Sequence, residues 1–161
     1  GSYTLMGHPI HELSMKAPSI YKHLPDKQAL ETALISDGFE EMAGRFAAAV
    51  AGAHDPLRSL AAEYRAFARR HPHLYRLMTQ RELDRARLKP GVEDTAARPL
   101  VEAVGGDEHL ARAAFAFVHG MTVLELDNRF PPGADLDAAW DRGVDAIDHA
   151  RAPRRTGRSP L

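Results

Sequence analysis

The chain contains no cysteine. No disulfide framework, thiolate metal site or cysteine nucleophile can be built from it, and zero cysteine suits a reducing cytoplasm, where the protein is expected to work. No apolar run reaches 18 residues, so no membrane span is expected. Neither sign of charge dominates: 21 Lys and Arg stand against 22 Asp and Glu. The chain as a whole therefore has no bulk attraction for nucleic acid, and contact with DNA has to come from a local cluster. Catalytic constellations are also missing. There is no phosphate loop and no Gly-x-Ser-x-Gly elbow. No glutamate has a histidine three residues later, as a di-iron bundle requires. His11-Glu12 is followed by Leu13-Ser14-Met15, which does not complete a zinc-protease motif. His71-Pro72-His73 reads as a surface turn, and Glu40-Glu41 and Asp26 as solvated faces or caps. No catalytic residue, metal or cofactor is expected.

What is present favours helices: alanine is abundant, and valine and isoleucine are scarce. Gly1-Ser2 has the look of a tag-cleavage remnant and is set aside. Residues 3–16 carry little pattern beyond Ile10 and Leu13. A short helix is predicted over 17–24, with Pro18 in its first turn and Pro25 as its stop. Asp26 caps a long helix, 27–51, in which Leu30, Leu34, Met42, Phe46 and Val50 share a face. Asp55-Pro56 opens the next, with the stripe Leu57, Leu60, Tyr64 and Phe67 running to His71, where Pro72 breaks it. Leu74, Tyr75 and Met78 mark a helix over 73–85. Lys89-Pro90-Gly91 is a turn, and 92–104 is a helix that Pro99 kinks. Gly105-Gly106-Asp107 is a stop and a cap before the apolar helix 107–127. Pro131-Pro132-Gly133 is the hardest break, after which Asp135 caps a last helix with the stripe Leu136, Trp140, Val144 and Ile147. The arginine-rich end from Arg151 reads as a disordered basic tail.

The segment Lys16-Ala17-Pro18-Ser19-Ile20-Tyr21-Lys22-His23-Leu24-Pro25-Asp26-Lys27 resembles the recognition helix and following turn of the tetracycline-repressor (TetR) family of transcription regulators. The resemblance implies that Lys16, Ala17 and Ser19 face base edges in the major groove. Tyr21, His23 and Lys27 then suit phosphates, with Lys22 beside them among the DNA-binding residues. Ile20 and Leu24, four apart, would hold the helix to its own small core. In the family about 35 residues precede this helix, more than stand here, and Ser14 occupies the usual glycine of the turn. The helix-turn-helix head is thus expected to be incomplete. The chain as it stands is expected to bind DNA weakly, and a form with a complete head to bind a palindrome.

A second stretch, Ala116-Phe117-Val118-His119-Gly120-Met121-Thr122-Val123-Leu124-Glu125-Leu126 with Asn128-Arg129-Phe130-Pro131, resembles the TetR C-terminal subtype named for a Trp-His-Gly signature. Val118 stands in the tryptophan position. His119 has two readings, a neutral core histidine bonded to a neighbour or a polar anchor in an effector pocket, and the first is favoured. Gly120 costs helix stability, which a close helix–helix approach would explain.

The expected fold is all-α: an incomplete helix-turn-helix head (1–26), a TetR-like helical bundle for ligand binding and dimerisation (27–150) and a basic tail (151–161). The resemblance implies a DNA-binding regulator, a repressor released by a small apolar or aromatic effector. Its partners would be a double-stranded operator and a second copy of the chain. The alternative is a helical scaffold of the same fold that reads no DNA. The effector is expected in an apolar cavity walled by helices 27–51, 56–71, 73–85 and 107–127 and lined by Phe46, Tyr64, Phe67, Tyr75, Met78, Phe115, His119 and Met121. Helices 107–127 and 135–150 are expected to pair with their mates as a four-helix dimer interface. Leu124, Leu136 and Ile147 would contribute to it, with Trp140 and Val144 as its anchors.

Overall fold

The computed structural model describes residues 26–151, together with the backbone of Thr4–Leu5 and His8–Pro9. These last form a two-residue antiparallel pair, β1 (Thr4–Leu5) with β2 (His8–Pro9). The helix expected at 17–24 and the tail after Arg151 lie outside the described residues. The body consists of six α-helices: α1 (Lys27–Val50), α2 (Pro56–Arg70), α3 (Pro72–Thr79), α4 (Val92–Ala103), α5 (Glu108–Leu126) and α6 (Leu136–His149). It is an all-α bundle, and among the described residues no helix is long and apolar enough to cross a membrane.

Capping sets the helix starts where the sequence signals them. The Asp26 carboxylate accepts from the Ala29 N–H at 2.7 Å, Asp55 from Arg58 at 3.0 Å and Asp135 from Ala138 at 3.0 Å. Asp107 accepts from both His109 and Leu110. Between α4 and α5 both Gly105 and Gly106 are left-handed. The Gly106 N–H there donates to the Val101 carbonyl at 2.8 Å, closing the end of α4.

The core is built by α2, whose Leu57, Leu60, Tyr64 and Phe67 are all buried, meeting Met42 and Phe46 of α1, Leu74 and Tyr75 of α3, Leu100 of α4, and Ala114 and Val118 of α5. Two expectations change. In α1 the fully buried face is Thr32, Ser36, Gly38, Met42, Ala43 and Phe46, while Leu30, Leu34 and Val50 are only partly covered. Small residues sit there because α3 approaches closely: a β-carbon on Gly38 would lie 2.6 Å from Met78 Sδ. Helix α3 ends at Thr79 rather than near 85, because the turn after Met78 offers only exposed Gln80, Arg81 and Glu82 and so has nothing to bury. A short 3₁₀ turn at Arg85–Arg87 follows. The Lys89 N–H then donates to Ser36 Oγ, and its ammonium to Asp37 and Glu40, pinning the segment to α1. Helix α4 runs through Pro99, which is buried within it.

Candidate functional site

The junction of α2 and α3 creates the most polar spot in the core. Pro72 carries no N–H, so it opens α3 directly after α2 closes at His71, and the Tyr75 N–H returns to the His71 carbonyl at 2.9 Å. That turn brings the Tyr75 hydroxyl to 2.8 Å from the Tyr64 hydroxyl, although eleven residues separate them. From α5, His119 Nδ1 lies 2.6 Å from the Tyr75 hydroxyl. The rings are in contact throughout. Phe46 stacks on Tyr64 with centroids 5.9 Å apart, Tyr64 meets Tyr75 edge-on at 5.7 Å, and Phe115 stacks on His119 at 5.8 Å. Burial pushes the Tyr64 phenol far above its ordinary range and Tyr75 up to about 12. Burial also lowers His119 from its usual 6.5, which favours the neutral ring. A phenol is the better donor and an imidazole nitrogen the better acceptor, so Tyr75 donates to Nδ1 and Tyr64 to the Tyr75 oxygen. Thr122, one turn beyond His119, buries its hydroxyl facing Tyr75 without completing a hydrogen bond.

The structure thus gathers Phe46, Tyr64, Tyr75, Phe115 and His119 of the expected lining into one cluster. Phe67 is elsewhere, fully buried against His71 with ring centroids 5.3 Å apart, and Met121 is half-buried against the core. These side chains pack on one another. A cleft of about 380 Å³ lies between α1, α3 and residues 81–88, using two of the four expected helical walls. Its apolar lining, the floor, is Ile35, Leu77, Met78, Leu83 and Leu88, and Glu31 belongs to its charged lining. Met78 alone belongs to the expected lining. Its other residues could not be assembled from the sequence, because their meeting depends on the irregular course after Thr79.

On the opposite side, α5 and α6 face each other through Phe117, Trp140 and Gly143. Phe117 meets Trp140 edge-on at 5.7 Å, and a β-carbon on Gly143 would sit 2.0 Å from the Phe117 ring. Arg65 of α2 bonds Glu125 of α5 through two nitrogens, reaches Asp137 of α6 and lies 5.5 Å over the Trp140 ring. Trp140 Nε1 donates to Glu125 at 3.2 Å. Arg58 likewise spans from Asp55 to Asp141 and Asp145. Trp140 and Val144, expected as dimer anchors, are 5% and 3% exposed: the protomer's own core uses them. Among the described residues Phe115 and Leu124 are the large apolar side chains left in solvent, at 49% and 42%, with Leu136 and Ile147 half-buried. No atom comes within 4 Å of a β-carbon built on Gly120, so no helix of the same protomer accounts for that glycine.

Of the residues expected at DNA, Lys27 is described. It is the first residue of α1, with its side chain 83% exposed and its ammonium 3.7 Å from Glu31. Lys16, Ala17, Ser19, Tyr21, Lys22 and His23 lie outside the described residues. Among the described residues no group of three His, Asp or Glu side chains is placed to hold a metal ion.

A cysteine-free all-α bundle, closed by capped helices and carrying an aromatic–hydroxyl cluster in its core, is the class that the fold defines. The model of the tetracyclin repressor-like C-terminal domain matches residues 57–147, more than half of the chain. The chain belongs to the tetracycline-repressor family. A solved structure from Rhodococcus sp. RHA1, described as a protein with unknown function, is similar at a TM-score of 0.67 with 25% identity; the likeness covers 91% of this chain and 85% of that one. No curated protein matches.

Proposed function

We propose that the protein is a DNA-binding transcription regulator, a repressor that works in the cytoplasm as a homodimer and releases its operator when a small molecule binds the helical body. The observation that carries this reading is the family match over α2–α6, with the Lys16–Lys27 motif directly ahead of α1. Leu124 of α5, 42% exposed, supplies an apolar contact for a second copy, whose pairing would set two recognition helices one DNA turn apart.

The test is selection of duplexes from a random pool on the immobilised protein with a complete helix-turn-helix head, at low ionic strength, where phosphate contacts are strongest. Enrichment of a palindrome, lost on Lys16→Ala and Tyr21→Ala together, is the expected result. A pool that stays random through successive rounds would overturn the reading.

A further inference from the structure

The cleft at the start of α1 has a distribution of charge that selects its occupant. We propose that it binds an amphipathic organic cation, an amine carried on an apolar ring or chain, and that this cation is the effector; the second half rests on the regulator reading above. At about 380 Å³ the cleft falls within the small-molecule range of roughly 300–1,000 Å³. Its floor is apolar, and Met78 gives it an adaptable surface.

The charged lining decides the sign. Glu31 is the covered charge, its side chain only 24% exposed, while the two cations that reach it, Lys27 at 3.7 Å and Arg81 at 3.3 Å, are 83% and 70% exposed. The carboxylate is therefore built into the wall, and the cations reach over it from solvent on flexible stems. Glu82 and Asp84 add two more carboxylates to the lining. Exposed ion pairs are weak, so Arg81 is readily displaced. An ammonium held in place by an apolar stem on the floor would make a charge-assisted bond to Glu31 in a drier setting. An anionic head would find only the solvent-exposed Lys27 and Arg81 in its favour, against three carboxylates.

Occupancy would also reach the DNA side. Glu31 is one turn from Lys27, the first residue of α1 and the last of the recognition motif. A ligand ammonium at Glu31 competes with Lys27 for that carboxylate, and so favours one arrangement of the start of α1 over another.

The experiment is calorimetric titration of the full chain with three molecules of one shape, phenylbutylamine, phenylbutanol and phenylbutyrate. The amine is expected to bind about tenfold more tightly than the alcohol and the acid most weakly; Glu31→Gln should remove the tenfold preference and leave the alcohol unchanged. Leu77→Trp, which fills the floor at a half-buried position, should weaken amine and alcohol alike, with Leu88→Trp as a second filling variant should the first lose its helical circular dichroism. Binding of the acid as tight as that of the amine, binding unaffected by all three substitutions, or no binding by a folded chain would each overturn the site. The effector half is read separately, by adding the amine to the protein with a complete head on its selected duplex. Release supports it, and an unchanged complex with the amine bound overturns it. A head-completed protein that selects no duplex sinks the regulator reading, while the calorimetry still decides the cleft.

Discussion

The contact between Gly143 and Phe117 makes the same substitution act with opposite signs at two helical positions. An alanine β-carbon at Gly143 would lie 2.0 Å from Cζ of Phe117 and 2.2 Å from Cε2. The ring cannot step aside freely, since it rests edge-on against Trp140, which is 5% exposed and tied to Glu125. Overpacking of this kind costs roughly 1–3 kcal/mol. Against it stands the gain of replacing a helical glycine by alanine, about 1 kcal/mol. Gly44, in the exposed middle of α1, has nothing within 4 Å of its β-carbon, so Gly44→Ala receives that gain alone. The helix term cancels between the two variants, and their difference isolates the clash. For a chain of this length each 1 kcal/mol moves the melting temperature by roughly 2–4 °C, so Gly143→Ala should melt several degrees below Gly44→Ala. Differential scanning calorimetry of both variants beside the parent reads this directly. Equal melting temperatures for the two would refute the close α5–α6 approach.

Two further outcomes follow from the core cluster and from the exposed face of α5. Because burial lowers His119 below its ordinary 6.5, the unfolded chain takes up a proton there before the folded one does; the stability from keeping the ring neutral is complete above 6.5 and is lost as pH falls from 6.5 through the folded value. His119→Gln keeps an acceptor for Tyr75 without titrating, so its loss of melting temperature between neutral and acidic buffer should be smaller than the parent's; an identical loss would refute the assignment. On α5, Leu124→Asp places a charge on an exposed position and should yield a folded monomer in sedimentation velocity, whereas Trp140→Asp, aimed at a buried ring, should unsettle α6 itself. A parent chain that is already monomeric at micromolar concentration would refute the dimer.

Much of the fold was legible because the signals are local. Asp55-Pro56, Gly105-Gly106-Asp107 and Asp135 act within four residues of themselves, and the Leu57–Leu60–Tyr64–Phe67 stripe needs only helical period to declare its buried face. Helix α3 ran short because its end depends on whether the next turn finds a surface to cover, which the Leu74–Tyr75–Met78 pattern does not contain. Trp140 and Val144 show the same limit from another side. Periodicity identifies an apolar face, but not whether the protomer or a partner covers it. The site was half legible: aromatic residues at stripe positions could be named, but the meeting of Tyr64 with Tyr75 depends on the angle that Pro72 imposes. Thr122, Glu125 and Gly143 acquire meaning only through neighbours on other helices.

Helix α6 is fastened unlike the rest of the bundle. It buries only Trp140 and Val144 fully, and its remaining ties to α2 run through the arginines Arg58 and Arg65 to Asp141, Asp145 and Asp137. Those bonds involve solvent-exposed carboxylates, and exposed ion pairs weaken as salt is added. We expect this helix, the last described element of the body, to act as a latch that opens at a lower free energy than the α1–α5 core. Its amides should exchange with solvent through openings smaller than global unfolding, and faster as ionic strength rises. If a second copy covers its outer side, the free energy of that opening becomes a function of protein concentration, and the latch closes as the chain accumulates.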